Sequence, residues 1–201
     1  MILCFSCLTG LAQAATNLIS DPGFETMDPS VWKPTSWQNN PQSVRFNKDL
    51  KVFRSGKAAV RIENLKDNDS GILQTIPVKP NRVYQISGWV KTLKVQGVQS
   101  QKNQNIGAGL CLENTWIHSD TLKNTQQWTF VKFLVRTGTA QTTLPIVCRI
   151  GYWGNTVKGV AWFDDIGAEM VDASAGQNIP VYGAMANPNA PHKAKTKPKH
   201  Q

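Results

Sequence analysis

Val78-Lys79-Pro80-Asn81-Arg82-Val83-Tyr84-Gln85-Ile86-Ser87-Gly88-Trp89-Val90-Lys91 decides the fold. Val78 closes an apolar run that contains Ile72 and Ile76, Lys79-Pro80-Asn81 is turn chemistry, and then Tyr84, Ile86 and Val90 alternate with Gln85, Ser87 and Lys91. Proline cannot donate to a ladder and asparagine tolerates tight turns, whereas a period of two marks a strand with one buried face. The stretch therefore reads as two strands joined by a turn. The same signature recurs on either side. Ala58, Val60 and Ile62 alternate with Ala59, Arg61 and Glu63, and Val131, Phe133 and Val135 alternate with Lys132, Leu134 and Arg136. Ile146, Cys148 and Ile150 alternate with Val147 and Arg149, and Trp162, Asp164, Ile166 and Ala168 form a last row. About eight or nine such strands, with no helical period between them, predict an all-β antiparallel sandwich of jelly-roll type. Asp28 to Gln42, Leu93 to Asn105 and Glu113 to Gln127 read as loops.

The ends differ from this pattern. Residues 2–11 (ILCFSCLTGL) are apolar, and Ala12-Gln13-Ala14 has the small-x-small form of a signal-peptidase site. Residues 1–14 are therefore expected to be a secretion signal, although no Lys or Arg precedes the apolar run. The run is too short to span a bilayer. The sandwich is expected over 15–175 and a basic, disordered tail over 176–201. The net charge is +9, and Lys193, Lys195, Lys197 and Lys199 supply four of it, which leaves +5 elsewhere. That mild excess does not call for a nucleic-acid partner. The tail could contact an anionic surface or serve only as a solvated end. Removal of a signal would leave Cys111 and Cys148, and two cysteines of an exported chain usually pair. The alternative is two buried free thiols.

Five stretches carry a family resemblance: Asn17-Leu18-Ile19-Ser20-Asp21-Pro22-Gly23-Phe24-Glu25, Arg54-Ser55-Gly56-Lys57 with the strand after it, Val78 to Lys91, Trp128-Thr129-Phe130-Val131, and Trp162-Phe163-Asp164-Asp165-Ile166. In this order and spacing the chain resembles the CenC-like carbohydrate-binding modules of the family 4/9/22 group over about residues 17–172. The resemblance implies a galactose-binding-like jelly roll, mostly non-catalytic, that binds polysaccharide. It also implies one structural calcium, held by Glu25, the carbonyl of Lys57, and Asp164 or Asp165. Calcium takes hard oxygen ligands of this kind. Arg54 stands where a further acidic ligand is often found; Asp49 could substitute, or Arg54 could pair with the carboxylates and replace the ion.

Sugars are recognised by aromatic faces and by polar groups that bond hydroxyls. Trp89, Trp128 and Trp162 fall in framework strands and are expected to pack. Trp116, Trp153, Tyr152, Arg149, Glu113 and Asn114 converge on one sheet face if the strands of Cys111 and Cys148 are neighbours, and they are the expected binding residues. Trp32 and Trp37, in the proline-rich loop, are the second choice. An enzyme is not expected: a glycosidase needs two opposed carboxylates, and Asp164-Asp165 point to opposite faces of a strand. No Gly-x-Ser-x-Gly elbow or Cys/His pair is present. A polysaccharide-binding module is the first reading; a structural or adhesion protein that uses the sandwich for protein or cell-surface contacts is the second.

Overall fold

The computed structural model describes residues 16–97, 106–152, 154–172 and 178–183. The expected signal, most of the basic tail and Trp153 lie outside them. Among the described residues ten strands run in chain order: Lys33–Ser36 (β1), Val44–Asp49 (β2), Ala59–Asn68 (β3), Ser70–Pro77 (β4), Val83–Gly97 (β5), Ala108–Leu112 (β6), Asn124–Thr137 (β7), Thr143–Ile150 (β8), Val157–Val171 (β9) and Val181–Tyr182 (β10). They form a four-stranded sheet, β1-β4-β8-β6, and a six-stranded sheet, β10-β7-β5-β9-β3-β2. All pairings are antiparallel except β10 on β7. The chain is an all-β sandwich, as the alternation requires. The short strand β10 carries the sandwich past residue 175, where the sequence placed its end.

The inner faces meet in one core. Ile62, Ile72, Tyr84, Ile86, Val90, Leu110, Val135, Ile146, Cys148, Phe163 and Ile166 lie in it. Trp32 is 1% exposed and packs on Phe24 with ring centroids 4.8 Å apart, so it is a core residue and not a ligand contact. Its indole N–H donates to the Asp21 carbonyl at 3.1 Å, which satisfies the one polar atom it buries.

Trp162 packs as expected, at 7% exposed, and Trp89 is half-buried against Phe130, but neither joins the core between the sheets. Both lie on the outer face of the six-stranded sheet, with Arg54 stacked on Trp89 at 4.4 Å and Arg61 over Trp162 at 5.7 Å. The row from Trp162 to Ile166 does not share one face, because Asp165 adopts φ 50° and the β5–β9 register shifts between Ser87 and Trp89. An extra residue in one strand inverts the parity beyond it. Ala161 and Phe163 therefore point inward before the bulge, and Ile166 and Ala168 after it.

The expected bridge between Cys111 and Cys148 is not formed; both are buried free thiols. Their strands are neighbours, but Leu110 is opposite Cys148 and Cys111 is opposite Val147. An offset of one residue sends the two thiols to opposite faces of the sheet. Cys148 enters the main core, and Cys111 joins a small outer cluster with Ile106, Val147 and Tyr152. Burial pushes the Cys111 thiol up to about 12 and raises that of Cys148 as well.

Candidate functional site

The outer face of the four-stranded sheet gathers most of the expected binding residues. Register sets its floor. Lys33, Leu73, Val147 and Cys111 form one row across the strands, and Thr35, Gly71, Arg149 and Gly109 form the next. Glycines on both neighbours leave the Arg149 side chain over bare backbone. Its Nε and Nη2 donate to the two carboxylate oxygens of Asp69 at 2.7 and 2.8 Å, and its Nη1 donates to Glu113 at 3.4 Å. Burial alone would lower the Arg149 pKa, but the bonds and charge of Asp69 outweigh it and raise the value. The guanidinium is therefore permanently charged, and two carboxylates hold it.

Aromatic groups extend the cluster. The Arg149 guanidinium lies 5.5 Å from the Tyr152 ring centre. Tyr152 is buried, donates its hydroxyl to the Thr115 carbonyl, and meets Trp116 edge-on at 5.2 Å and His118 at 5.1 Å. Trp116 itself is 43% exposed. A tight turn presents it: Thr115 Oγ1 donates to the Leu112 carbonyl at 3.1 Å, and the Leu112 N–H donates to Ile117 at 3.0 Å. Asn114 sits in this turn with φ 59° and is exposed, so its part is to make the turn. Residues 117–122 then run back along β6, with bridges Cys111 to His118 and Ala108 to Leu122. The stretch read as a loop thus widens the sheet and carries Trp116 to its outer face.

Two residues of this face were missed or ranked second. Asp69 also accepts the Gly154 N–H at 3.0 Å, while its carbonyl accepts the Trp37 N–H at 2.9 Å. Trp37 is 62% exposed, and its ring lies so close to Gly154 that a Cβ there would come within 2.5 Å of it. Trp37 and Trp116 therefore stand on two sides of the Asp69–Arg149–Glu113 network, one attached through Asp69 and Gly154, the other through Tyr152. The Asp-Ser-Gly-Ile start of a strand gave no local sign of this role; only the pairing of β4 with β8 puts Asp69 beside Arg149. Trp153 lies outside the described residues.

The residues expected around calcium also meet. Asp164 is fully buried, and its oxygens accept the N–H groups of Arg54 at 2.6 Å, Ser55 at 3.2 Å and Asp165 at 2.8 Å. Burial raises its pKa, against the pull of those three N–H bonds. Glu25 accepts the Lys57 N–H at 2.8 Å, so Lys57 faces it with its amide. A Cβ at Gly23 would lie 3.5 Å from one Asp164 oxygen and 3.6 Å from one of Glu25, which places both carboxylates around this glycine. Asp165 accepts the Ser55 hydroxyl at 2.5 Å. The Arg54 side chain is turned onto Trp89 and does not pair with the carboxylates, and Asp49 accepts the Trp162 indole N–H at 2.8 Å. Two convergent carboxylates fit a hard cation, but among the described residues no three acidic, His or Cys side chains gather. The other ligands would have to be backbone oxygens or water.

Residues 16–149 match the carbohydrate binding domain family. The tRNA(Glu)-specific nuclease WapA of Bacillus subtilis subsp. natto (strain BEST195) is 24% identical over 173 residues, which are 82% of this chain and 7% of that protein. The chain thus spans a small part of the curated relatives it matches. Among solved structures, the CBM22-1–GH10 modules of Clostridium thermocellum xylanase 10B, complexed with xylohexaose, align at a TM-score of 0.51 and 11% identity, over 78% of this chain and 29% of that one. The Stig cyclase Fisc of Fischerella sp. TAU aligns at 0.53 and 14% identity, over 80% of this chain and 100% of that one. At such identities these structures share the fold alone. The family match covers the sandwich from its first turn to the arginine at the centre of the outer face, and the chain belongs to the carbohydrate binding domain family.

Proposed function

We propose that this protein is an exported, non-catalytic polysaccharide-binding module that holds its ligand on the outer face of the four-stranded sheet. The observation that carries the reading is the pair of exposed tryptophans, Trp37 and Trp116, on either side of a fully bonded Asp69–Arg149–Glu113 network. Tryptophan faces take up the C–H faces of sugar rings, and a network already locked by its own bonds presents hydroxyl partners without a large ordering cost. The same network argues against hydrolysis. Asp69 and Glu113 are bonded to one guanidinium, whereas a glycosidase needs one carboxylic acid free to give up its proton. The apolar segment and small-x-small triplet within residues 2–14 support the export part of this reading. A calcium ion held by Glu25 and Asp164 would tie the first turn to β9.

Affinity electrophoresis in gels containing soluble polysaccharides tests the reading. Retardation of the wild type by at least one neutral glycan, and its loss in Trp37→Ala and Trp116→Ala proteins that keep their fold, is expected. Retardation that survives both substitutions would move the site elsewhere.

A further inference from the structure

The opposite sheet carries a trough that the first site does not use. It has a volume of about 520 Å³ and lies at the far end of β3, β5 and β9, with Leu65, Leu93 and Val160 as apolar lining and Lys94, Gln96 and Lys158 as polar lining. That volume suits a small ligand.

The trough is built by a dislocation that crosses the sheet. β3 slips against β9 between Asn64 and Asn68, β5 against β9 between Leu93 and Gln96, and β5 against β7 between Thr92 and Val95. At its centre two backbones approach closely: a Cβ on Gly159 would come within 2.6 Å of the Lys94 carbonyl oxygen and 2.7 Å of the Val95 Cα. Lys94 takes φ 52°, a conformation that non-glycine residues seldom hold without support. Thr125 supplies support by accepting its N–H at 3.1 Å. Below, the buried Asn64 amide donates to the carbonyls of Asn68 and Val157, both at 3.0 Å, and its oxygen accepts the Ser70 hydroxyl. A slip that left those buried carbonyls open would be costly, so the asparagine holds the dislocation in place.

Charge then decides the ligand. Glu63, the acidic residue at the trough, is taken up by Arg61 at 3.0 Å and Arg45 at 4.0 Å. Lys94 and Lys158 make no ion pair among the described residues. Leu93, on the same trough, is 40% exposed. We propose that this trough is a second ligand site, for an acidic sugar. The ring lies on Leu93 and Val160, Lys94 and Lys158 meet its carboxylate, and Gln96 bonds a hydroxyl. A bare inorganic anion would leave the apolar floor unused.

Calorimetric titration of the whole chain with a galacturonate trimer tests this, with the neutral galactose trimer and sodium sulfate as comparisons. The variant is Lys94→Asn with Lys158→Gln, because asparagine tolerates the left-handed backbone that residue 94 holds. The double substitution should weaken galacturonate at least tenfold with an unchanged melting temperature, while Lys158→Arg alone should retain it. Trp116→Ala should leave galacturonate binding intact, so failure of the trough and failure of the tryptophan face are read separately. Galacturonate binding that persists in the double variant, or that disappears with Trp116→Ala, would overturn the proposal. So would sulfate binding as tightly as the trimer, which would make the trough a general anion site, and so would the absence of any galacturonate binding.

Discussion

At the scale of single residues, the outer face of the four-stranded sheet separates groups that touch ligand from groups that hold the face together. Trp37 and Trp116 are exposed and carry no strand ladder, so each alanine variant should weaken glycan binding by about 1–3 kcal/mol and leave melting nearly unchanged. Asp69 is different. Its carboxylate is buried against Arg149, whose side chain is 15% exposed. Asp69→Asn would leave the buried guanidinium with only the longer 3.4 Å contact to Glu113, so it should cost up to about 3–5 kcal/mol of folding stability, measurable by denaturant titration. Arg149→Met with Asp69→Leu should cost less, because no fully buried charge remains: Glu113, the carboxylate left behind, is 27% exposed and can be met by water. The cysteines give a third check at this scale. Native protein should react very slowly with a thiol reagent at pH 8, since burial holds the Cys111 thiol near 12, and unreduced, denatured protein should release both Cys111 and Cys148 for labelling. Absence of reactive thiols after denaturation would show that the bridge forms after all.

At the scale of elements, the return segment 117–122 matters most. It doubles back on β6 and sets where Trp116 stands. Gly107 is the point of closest approach: a Cβ there would come within 2.0 Å of the Leu122 carbonyl oxygen and 2.6 Å of its carbon. Backbone cannot yield as a side chain can. Gly107→Ala should therefore pry the segment from β6, lower the melting temperature, and reduce glycan binding through displaced Trp116. Faster hydrogen exchange at the Leu122 amide, which donates to Ala108 at 2.8 Å, would report the detachment directly. Retained exchange protection with lost binding would place the effect elsewhere.

At the scale of the whole molecule, the first turn and the longest late strand meet at Asp164. Asn17 and Pro22 bond the backbone of β9, and Glu25 and Asp164 approach around Gly23. Burial raises the Asp164 pKa above its ordinary value of 3.8, so ionising it costs more in the fold than in the unfolded chain. Its contribution is fully present below that ordinary value and is lost as pH rises through the raised one. In chelator, stability should fall over that window, and Asp164→Asn should flatten the fall. A bound calcium favours the ionised form, so added calcium should raise the melting temperature above the window and not below it. Glu25→Gln should abolish that response. Identical melting curves in calcium and in chelator at neutral pH would remove the ion from the account.

Local sequence determined the architecture because the period of two acts residue by residue. The rows at Ala58–Glu63, Tyr84–Lys91, Val131–Arg136 and Ile146–Ile150 all became strands of a two-sheet sandwich. It grouped Trp116, Arg149, Tyr152 and Glu113 only on condition that the strands of Cys111 and Cys148 are neighbours, and the pairing of β6 with β8 meets that condition although the cysteines do not bridge. What pattern could not determine was parity across an irregularity. The bulge at Asp165 turned Trp162 outward, and a one-residue offset between β6 and β8 separated Cys111 from Cys148. Nor could it say which tryptophan of one loop is core: Trp32 found Phe24 and a carbonyl partner, while Trp37, five positions on, stayed in solvent beside Asp69 and Gly154. Asp69 itself had no motif around it. Its meaning comes from a guanidinium eighty positions away along the chain, and only the pairing of strands distant in sequence sets such a distance to zero.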